Sequence, residues 1–220
     1  MKTNRLLLLE ACVETLDQAI AAEKLGAHRL ELCERLDLDG LSPHPDLVES
    51  VLAQVSLPVR IMIRPKPADF SLKNTHWADL VKEVKRAKSL GVEGMVLGYL
   101  DQARWPAVEA IGELAALAYP LKVTFHRAIE QCPDLCEAIQ RLIEATPIHS
   151  ILTSGGGRRP LDSQDTLLTL KKLVIDQELL VCGKITAENL PYIHEQVGAS
   201  AYHGRKIVGD LPGQGTQSGR

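Results

Sequence analysis

Residues 6–33 read LLLLEACVETLDQAIAAEKLGAHRLELC: an apolar run, an amphipathic stretch and a second apolar run. Leu6–Cys12 and His28–Cys33 have the length and composition of buried strands. Between them, residues 15–25 have the pattern of a helix, and Gly26 stands where such a helix would end. A strand, a helix and a second strand in this order predict a parallel β/α unit.

The same unit recurs along the rest of the chain. Six further strands are predicted at Val59–Arg64, Gly94–Leu100, Leu121–Arg127, His149–Ser154, Leu179–Gly183 and Ser200–Gly204. The helices between them are predicted near 44–55, 76–90, 105–117, 133–145, 163–177 and 186–197. Eight strands alternating with seven helices place the chain in the α/β class and predict a single TIM-type (β/α)8 barrel. An open doubly wound sheet is the alternative, but no Gly-x-Gly-x-x-Gly element follows the first strand.

The end of the chain is too short for a full last repeat. The chain has 220 residues, whereas barrels of this type have about 250. The segment 210–220 is polar and rich in glycine, which does not favour a packed helix. We therefore expect a barrel domain over residues 1–209 without a complete eighth helix, followed by a disordered tail over 210–220.

The composition is that of an ordinary globular protein. Hydrophobic residues make up 45% and charged residues 24%, and the net charge is −3 with both signs interspersed. A nucleic-acid partner is not expected, because it requires a concentrated basic surface. No apolar run approaches the ~20 residues of a membrane helix, so a membrane partner is not expected either. The first apolar run ends at an acid after four leucines, unlike a signal peptide, so we expect a cytoplasmic protein with reduced cysteines.

The first two strands end in the same pattern, an acid followed two residues later by a cysteine. Glu10 and Cys12 share one face of their strand, and Glu31 and Cys33 share one face of theirs, because side chains alternate along a strand. If both faces point into the barrel, two carboxylates and two thiols meet at the carboxyl ends of the strands. Barrel enzymes carry their working groups at that end, and thiolates are the ligands that soft metal ions prefer.

Other strand ends carry groups suited to acid–base chemistry. Arg64 ends the third strand, and His126 with Arg127 ends the fifth. Arg64 and Arg127 are candidates for binding a charged substrate. His126 is a candidate acid or base, paired with Glu10 or Glu31.

The last three strand ends suggest an anion site. The sixth strand runs into a glycine-rich turn, and glycines let backbone amides approach an anion closely. A tight strand-to-helix turn is the alternative interpretation of these glycines. The candidate substrate- or anion-binding residues are Thr153, Ser154, Gly155, Gly156, Lys184 and His203.

Five of these motifs together resemble the CutC family of copper homeostasis proteins, over roughly residues 6–160. The strings are Leu9–Thr15 (LEACVET), Arg29–Cys33 (RLELC), Met62–Pro65 (MIRP), Val123–Ala128 (VTFHRA) and Ile151–Gly156 (ILTSGG). The resemblance implies a cytoplasmic TIM-type barrel, often a homodimer, that binds copper. It also implies that Cys12 and Cys33 are Cu(I) ligands and that a set of polar residues belongs to the site: Glu10, Glu31, Arg64, His126, Arg127, Thr153 and Ser154.

Two functions are therefore in competition. The first is copper binding and handling through Cys12 and Cys33, with a copper ion as the partner. The second is a barrel enzyme that acts on a small anionic or phosphorylated metabolite, because a metal carrier does not need so many polar groups around its mouth. A non-catalytic scaffold is a weaker third hypothesis, since a scaffold has no need of polar strand ends.

Overall fold

Eight parallel strands pair in sequence order and close on themselves, with β8 beside β1. The structure is a computed structural model, and it describes residues 7–67, 69–72 and 77–214. The strands are β1 (Leu8–Val13), β2 (Arg29–Leu32), β3 (Val59–Met62), β4 (Gly94–Leu97), β5 (Lys122–Phe125), β6 (Ser150–Thr153), β7 (Glu178–Val181) and β8 (Ala201–Gly204). The predicted TIM-type (β/α)8 barrel is confirmed.

Seven α-helices in the described part of the chain cover the outside of this barrel. They are α1 (Leu16–Lys24), α2 (Pro45–Gln54), α3 (Trp77–Leu90), α4 (Val108–Ala118), α5 (Leu135–Ala145), α6 (Gln164–Leu173) and α7 (Leu190–Val197). As predicted, no eighth helix follows β8 within the described residues, which continue to Gln214. None of the helices in the described part of the chain combines the length and the apolar character needed to cross a membrane.

The strands are shorter than the sequence predicts. Four strands end two or more residues before their predicted ends; β3, for example, ends at Met62 instead of Arg64, and β4 ends at Leu97 instead of Leu100. The residues that follow leave the pairing and enter the loops at the carboxyl end. Most of the predicted strand-end groups therefore lie at the rim, above the last paired residue.

The two faces of the strands have different surroundings. Outward residues such as Ala11 and Leu30 are fully buried in one apolar cluster with helix residues such as Ala19 and Val48. The inward face is more polar. Arg60, for example, reaches across the barrel to hydroxyl groups on β5 and β6. The main hydrophobic core is thus the layer between barrel and helices, which leaves the interior available for polar groups.

The segment after β8 contacts the rest of the chain at the start of the predicted tail. Leu211 is buried, the side chain of Gln18 donates to the carbonyl of Pro212 (3.0 Å), and the side chain of Gln214 donates to the carbonyl of Arg205 (2.9 Å). Disorder is therefore not what the structure shows for residues 210–214, because an apolar side chain and backbone hydrogen bonds hold this segment against α1. Residues 215–220 of the predicted tail lie outside the described residues.

Candidate metal centre

A cavity of about 610 Å³ opens at the carboxyl ends of the strands. It contains seven of the residues that the sequence singles out: Cys12, Glu31, Cys33, His126, Arg127, Gly156 and His203. The other side chains and backbone that line it are Leu36, Asp39, Met62, Phe70, Glu130, Gln131, Leu152, Gly157, Arg158 and Arg205.

Two thiols and a carboxylate meet at the base of this cavity. Cys12 on β1 pairs in register with Glu31 on β2. Cys33 lies two residues after Glu31, just past the end of β2, and its side chain points to the same face. The sulfur atoms of Cys12 and Cys33 and a carboxylate oxygen of Glu31 all lie within 4.8 Å of one another. All three residues are buried. Their convergence follows from two adjacent strands that carry the same acid-x-cysteine pattern.

His203 lies between the two acids of this pattern. Its Nδ1 lies 2.9 Å from Glu10, and its Nε2 lies 3.3 Å from Glu31. Ligand atoms of Glu10, Glu31 and His203 also lie within 4.8 Å of one another. Glu10 does not line the cavity; it lies below it and is also bound by Arg29. The imidazole–carboxylate pairing that the sequence predicts for His126 is thus made by His203, because β8 closes the barrel beside Glu10.

This arrangement favours an ionised Cys12. A hydrogen bond from the Cys33 thiol and the neighbouring His203 lower the pKa of Cys12 to about 5, against the effect of burial. The same shared hydrogen bond and burial raise the pKa of Cys33 well above its ordinary value. Burial lowers the pKa of His203, but Glu31, Cys12 and Glu10 outweigh it and raise the pKa well above the usual range. At neutral pH Cys12 is therefore a thiolate, Cys33 is a thiol and His203 is an imidazolium.

The two buried acids differ. Burial would raise the pKa of Glu10, but the hydrogen bond from His203 and the charge of Arg29 lower it to about 2. Burial and the Cys12 thiolate instead raise the pKa of Glu31 well above its usual value. The Oε1 atom of Glu31 is buried and has no hydrogen-bond partner within the described residues. An unpaired buried oxygen is costly, and at the edge of a cavity it indicates a place for a ligand.

His126 lies in the cavity wall as a neutral imidazole. Its Nδ1 accepts from the amide of Ala128 (3.1 Å), and its ring packs against Phe70. Burial and then Arg64 lower the pKa of His126 to about 3. A Cβ atom at Gly98 would lie 2.4 Å from His126 Nδ1, so the glycine after β4 makes room for this ring. The structure does not bring His126 into a pair with Glu10 or Glu31.

Arg64 supports the loop after β2 and does not line the cavity. Its Nη1 donates to the carbonyls of Leu38 (2.7 Å) and Gly40 (3.0 Å), and its guanidinium lies over Phe70. Arg64 thus holds a loop at the rim, and its role as a substrate ligand stays a prediction.

The predicted anion site already holds a carboxylate of the chain itself. The hydroxyl of Thr153 (2.9 Å) and the amide of Ser154 donate to Glu130, whose second oxygen is bound by Arg127 (2.6 Å). The turn at Thr153 and Ser154 thus binds a carboxylate of the chain itself, that of Glu130 on the short 3₁₀ helix after β5. The Arg-x-x-Glu spacing of residues 127 and 130 is the sequence signal that points to this pair.

Two residues predicted for the anion site lie elsewhere. Gly155 has φ +82°, its amide donates to Thr153 Oγ1 (2.9 Å), and a Cβ there would approach Ser163 Oγ at 2.8 Å. It serves the tight turn, which was the alternative interpretation. Lys184 is exposed and does not line the cavity. Of the glycine run, Gly156 and Gly157 contribute to the cavity wall.

Fold and site together define a TIM barrel with a buried dithiol–carboxylate cluster at the carboxyl end of its strands. The model of the CutC family matches residues 7–208, and the chain belongs to this family. A mouse relative described as a copper homeostasis protein cutC homolog is 34% identical over 89% of this chain and 72% of its own length. A CutC protein of Mesorhizobium japonicum is 32% identical over 91% of this chain and 78% of its own. A crystal structure described as the copper homeostasis protein CutC of Streptococcus agalactiae superposes with a TM-score of 0.85 at 27% identity, covering 92% of this chain and all of that one.

Proposed function

We propose that this chain binds Cu(I) through the thiolates of Cys12 and Cys33 and handles copper in the cytoplasm. One observation carries the proposal: two thiol sulfurs lie within 4.8 Å of each other at the base of an open cavity. Thiolate sulfur selects Cu(I) among the common metal ions. The mouse relative's description as a copper homeostasis protein is in agreement.

The charges around the thiols suit a monovalent soft ion. Cys12 is already a thiolate, so it binds without first losing a proton. Cys33 loses its proton when copper binds, because only the thiolate is a ligand. His203, held by Glu10 and Glu31, lies beside Cys12 and stabilises the thiolate before the ion arrives.

The donor set also discriminates between metals. A site with two sulfurs and one carboxyl is softer than the oxygen-rich sites that Mg²⁺, Ca²⁺ and Mn²⁺ prefer. Zn²⁺ is the competing ion for thiolates, and it favours four ligands in tetrahedral geometry. The pair of thiols therefore supports Cu(I) over the hard divalent cations.

A competition titration tests the proposal. Cu(I) is shared anaerobically between the protein and a chromophoric Cu(I) chelator, for wild type and for Cys12→Ser and Cys33→Ser. Each substitution removes a soft ligand, so we expect each to weaken Cu(I) binding by about 100-fold or more, beyond the usual effect of changing a group behind the ligands. Cys182→Ser is the matched control, because Cys182 is a buried barrel cysteine that does not line the cavity.

The outcome is decisive in either direction. Wild-type affinity in both Cys12→Ser and Cys33→Ser rules out the site, provided that circular dichroism shows the variants folded. A loss in Cys182→Ser equal to that in the other two indicates general damage and equally contradicts a localised dithiol site.

Compartment and assembly belong to the same proposal. All five cysteines are free, and a site that depends on reduced thiols suits the reducing cytoplasm. The homodimer implied by the family resemblance stays a prediction.

A further inference from the structure

The cavity above the thiols is much larger than a metal ion requires. Its volume of about 610 Å³ is roughly 20 times the ~30 Å³ that one water molecule occupies in the liquid. It falls within the ~300–1,000 Å³ of sites that hold small molecules. The thiols lie at its base, so most of the space lies between the metal site and solvent.

The rim of this space is rich in guanidinium groups. Arg127, Arg158 and Arg205 line it, from the loops after β5, β6 and β8. Two acids line the same cavity outside the base, Asp39 and Glu130. Glu130 is bound by Arg127, Thr153 and Ser154 and is thereby neutralised within the chain.

Two of the cavity-lining arginines, Arg127 and Arg205, have guanidinium nitrogens without a bond to a described residue. Arg127 uses Nε and Nη2 for Glu130 and Ser154, so its Nη1 has no bond to a described residue. Arg205 donates from Nη2 to Glu14 at 3.2 Å, which is a long contact on a side chain that is 40% exposed. Guanidinium groups bind carboxylates through paired, charge-assisted hydrogen bonds.

The orphaned oxygen of Glu31 is the second, independent observation. Glu31 is 2% exposed and lines the cavity, and its Oε1 has no partner among the described residues. A bare ion between two sulfurs leaves the upper cavity filled only by water. A polar ligand that reaches from the metal to the rim fills the cavity and offers Glu31 a partner.

We propose that copper occupies this site as a complex with a small anionic thiol, whose sulfur is a third ligand to Cu(I) and whose carboxylate is bound by Arg127 and Arg205. The inference rests on the proposed function, since it assumes Cu(I) at Cys12 and Cys33. It adds a ligand class, a carboxylated thiol, and assigns the arginine rim to its recognition.

Loading is then a ligand exchange without a change of oxidation state. Cu(I) arrives bound to small thiolates; one Cu–S bond to a small thiolate breaks as a Cu–S bond to the Cys12 thiolate forms. Cys33 then adds to the metal as a further ligand without displacing the remaining small thiolate, and its proton passes to the small thiolate released in the first step. One small thiolate stays on the metal.

Two thiols that differ only at the far end of the same two-carbon chain provide the test. Wild-type protein receives one equivalent of Cu(I) with equal amounts of 3-mercaptopropionate, which is anionic, and 2-mercaptoethanol, which is neutral. Native mass spectrometry reads the ratio of the two ternary complexes. We expect about a tenfold excess of the 3-mercaptopropionate complex, the effect of one charge-assisted hydrogen-bonded pair.

Arg205→Gln should bring this ratio close to one while Cu(I) is still retained. Arg159→Gln is the matched control and should keep the wild-type ratio, because Arg159 is an exposed arginine that pairs with Asp162 outside the cavity. Loss of the preference in both variants, or in neither, overturns the role of the rim.

The outcomes separate this inference from the proposed function. Retained copper with no small thiol, or with both thiols equally, overturns the inference and leaves the dithiol site intact. No retained copper with either thiol overturns both. Equal retention of 3-mercaptopropionate by copper-free protein shows an anion site independent of metal, which contradicts the inference and supports the enzyme hypothesis.

Discussion

The two ends of the barrel interior hold cavities of similar volume, but the hydrogen-bonding of their lining side chains differs. The cavity at the carboxyl end measures about 610 Å³, and the one at the amino end about 680 Å³. Both are lined by charged side chains. They differ in whether those side chains already have partners within the chain.

At the amino end, two buried arginines are matched by the chain itself. Arg60 donates to Thr124 (2.6 Å) and Ser150 (2.8 Å) and pairs with Glu93 (2.7 Å). Arg29 likewise pairs with two acids, one of which is Glu178 at 2.6 Å. A network whose donors and acceptors are satisfied supports the fold, in agreement with the general division of labour between the two ends of TIM barrels.

At the carboxyl end, by contrast, buried titratable groups lack some of their hydrogen-bond partners within the described residues. Cys12 and Cys33 share one proton, and Glu31 keeps an oxygen without a partner in the described part of the chain. Cavity volume therefore does not identify the functional end of this barrel. Buried side chains that lack partners within the chain do identify it. Such groups are costly, and a protein retains them chiefly where a ligand satisfies them.

The largest expected effect is on the amino end. Arg60→Met removes a buried guanidinium from the Thr124 hydroxyl and leaves Glu93 with the longer contact to Lys122 (3.3 Å). We therefore expect the free energy of unfolding to fall by about 3–5 kcal/mol, measured in urea. Cu(I) affinity of the folded variant should stay at the wild-type value. Arg159→Met, at an exposed pair, should leave the free energy of unfolding close to the wild-type value. A loss in Arg60→Met as small as in this control contradicts a stabilising role for the amino end.

The pH dependence of Cu(I) binding tests the protonation of the two thiols at the carboxyl end. The pKa of Cys12 is lowered to about 5 and that of Cys33 is raised, so above about pH 6 only Cys33 releases a proton when copper binds. We expect Cu(I) affinity to rise about tenfold per pH unit between pH 6 and 8, the dependence for one released proton. The measurement is the chelator competition repeated across this range.

Cys33→Ser is the informative comparison for that slope. Its weaker binding should be nearly independent of pH, because the remaining thiol is already ionised. A slope of two protons in wild type, or an unchanged slope in Cys33→Ser, contradicts the assignment of thiolate to Cys12 and thiol to Cys33.

The fold could be predicted because its signals are local. Each strand and the helix after it form one β/α unit, and each Glu-x-Cys motif lies at the end of a single strand. For the same reason Cys12, Glu31 and Cys33 were predictable as a cluster: they lie on neighbouring strands and share a face. The strand ends were less predictable, because pairing in the closed barrel stops before the apolar pattern does.

The partners of the cluster depend on contacts that sequence spacing does not contain. His203 and His126 both follow a strand-end pattern, and only the closing pair of β1 and β8 selects His203 for Glu10. The occupant of the Thr153 turn, Glu130, depends on how the 3₁₀ helix after β5 folds back over β6. Both are long-range arrangements, and the sequence predicted the residue types but not their partners.

The smallest expected effect concerns Glu31, which has one oxygen without a partner among the described residues. Because the pKa of Glu31 is raised above 4.5, the folded chain keeps a proton that the unfolded chain releases, so Glu31 lowers stability as pH rises above 4.5. Glu31→Gln removes this penalty and should raise the free energy of unfolding at pH 7, with no difference near pH 4. Urea unfolding at both pH values measures it, with the exposed Glu188→Gln as control. Equal effects at pH 4 and pH 7 contradict a protonated Glu31, whereas a gain confined to pH 7 shows that stability is sacrificed at the carboxyl end for a group that a ligand completes.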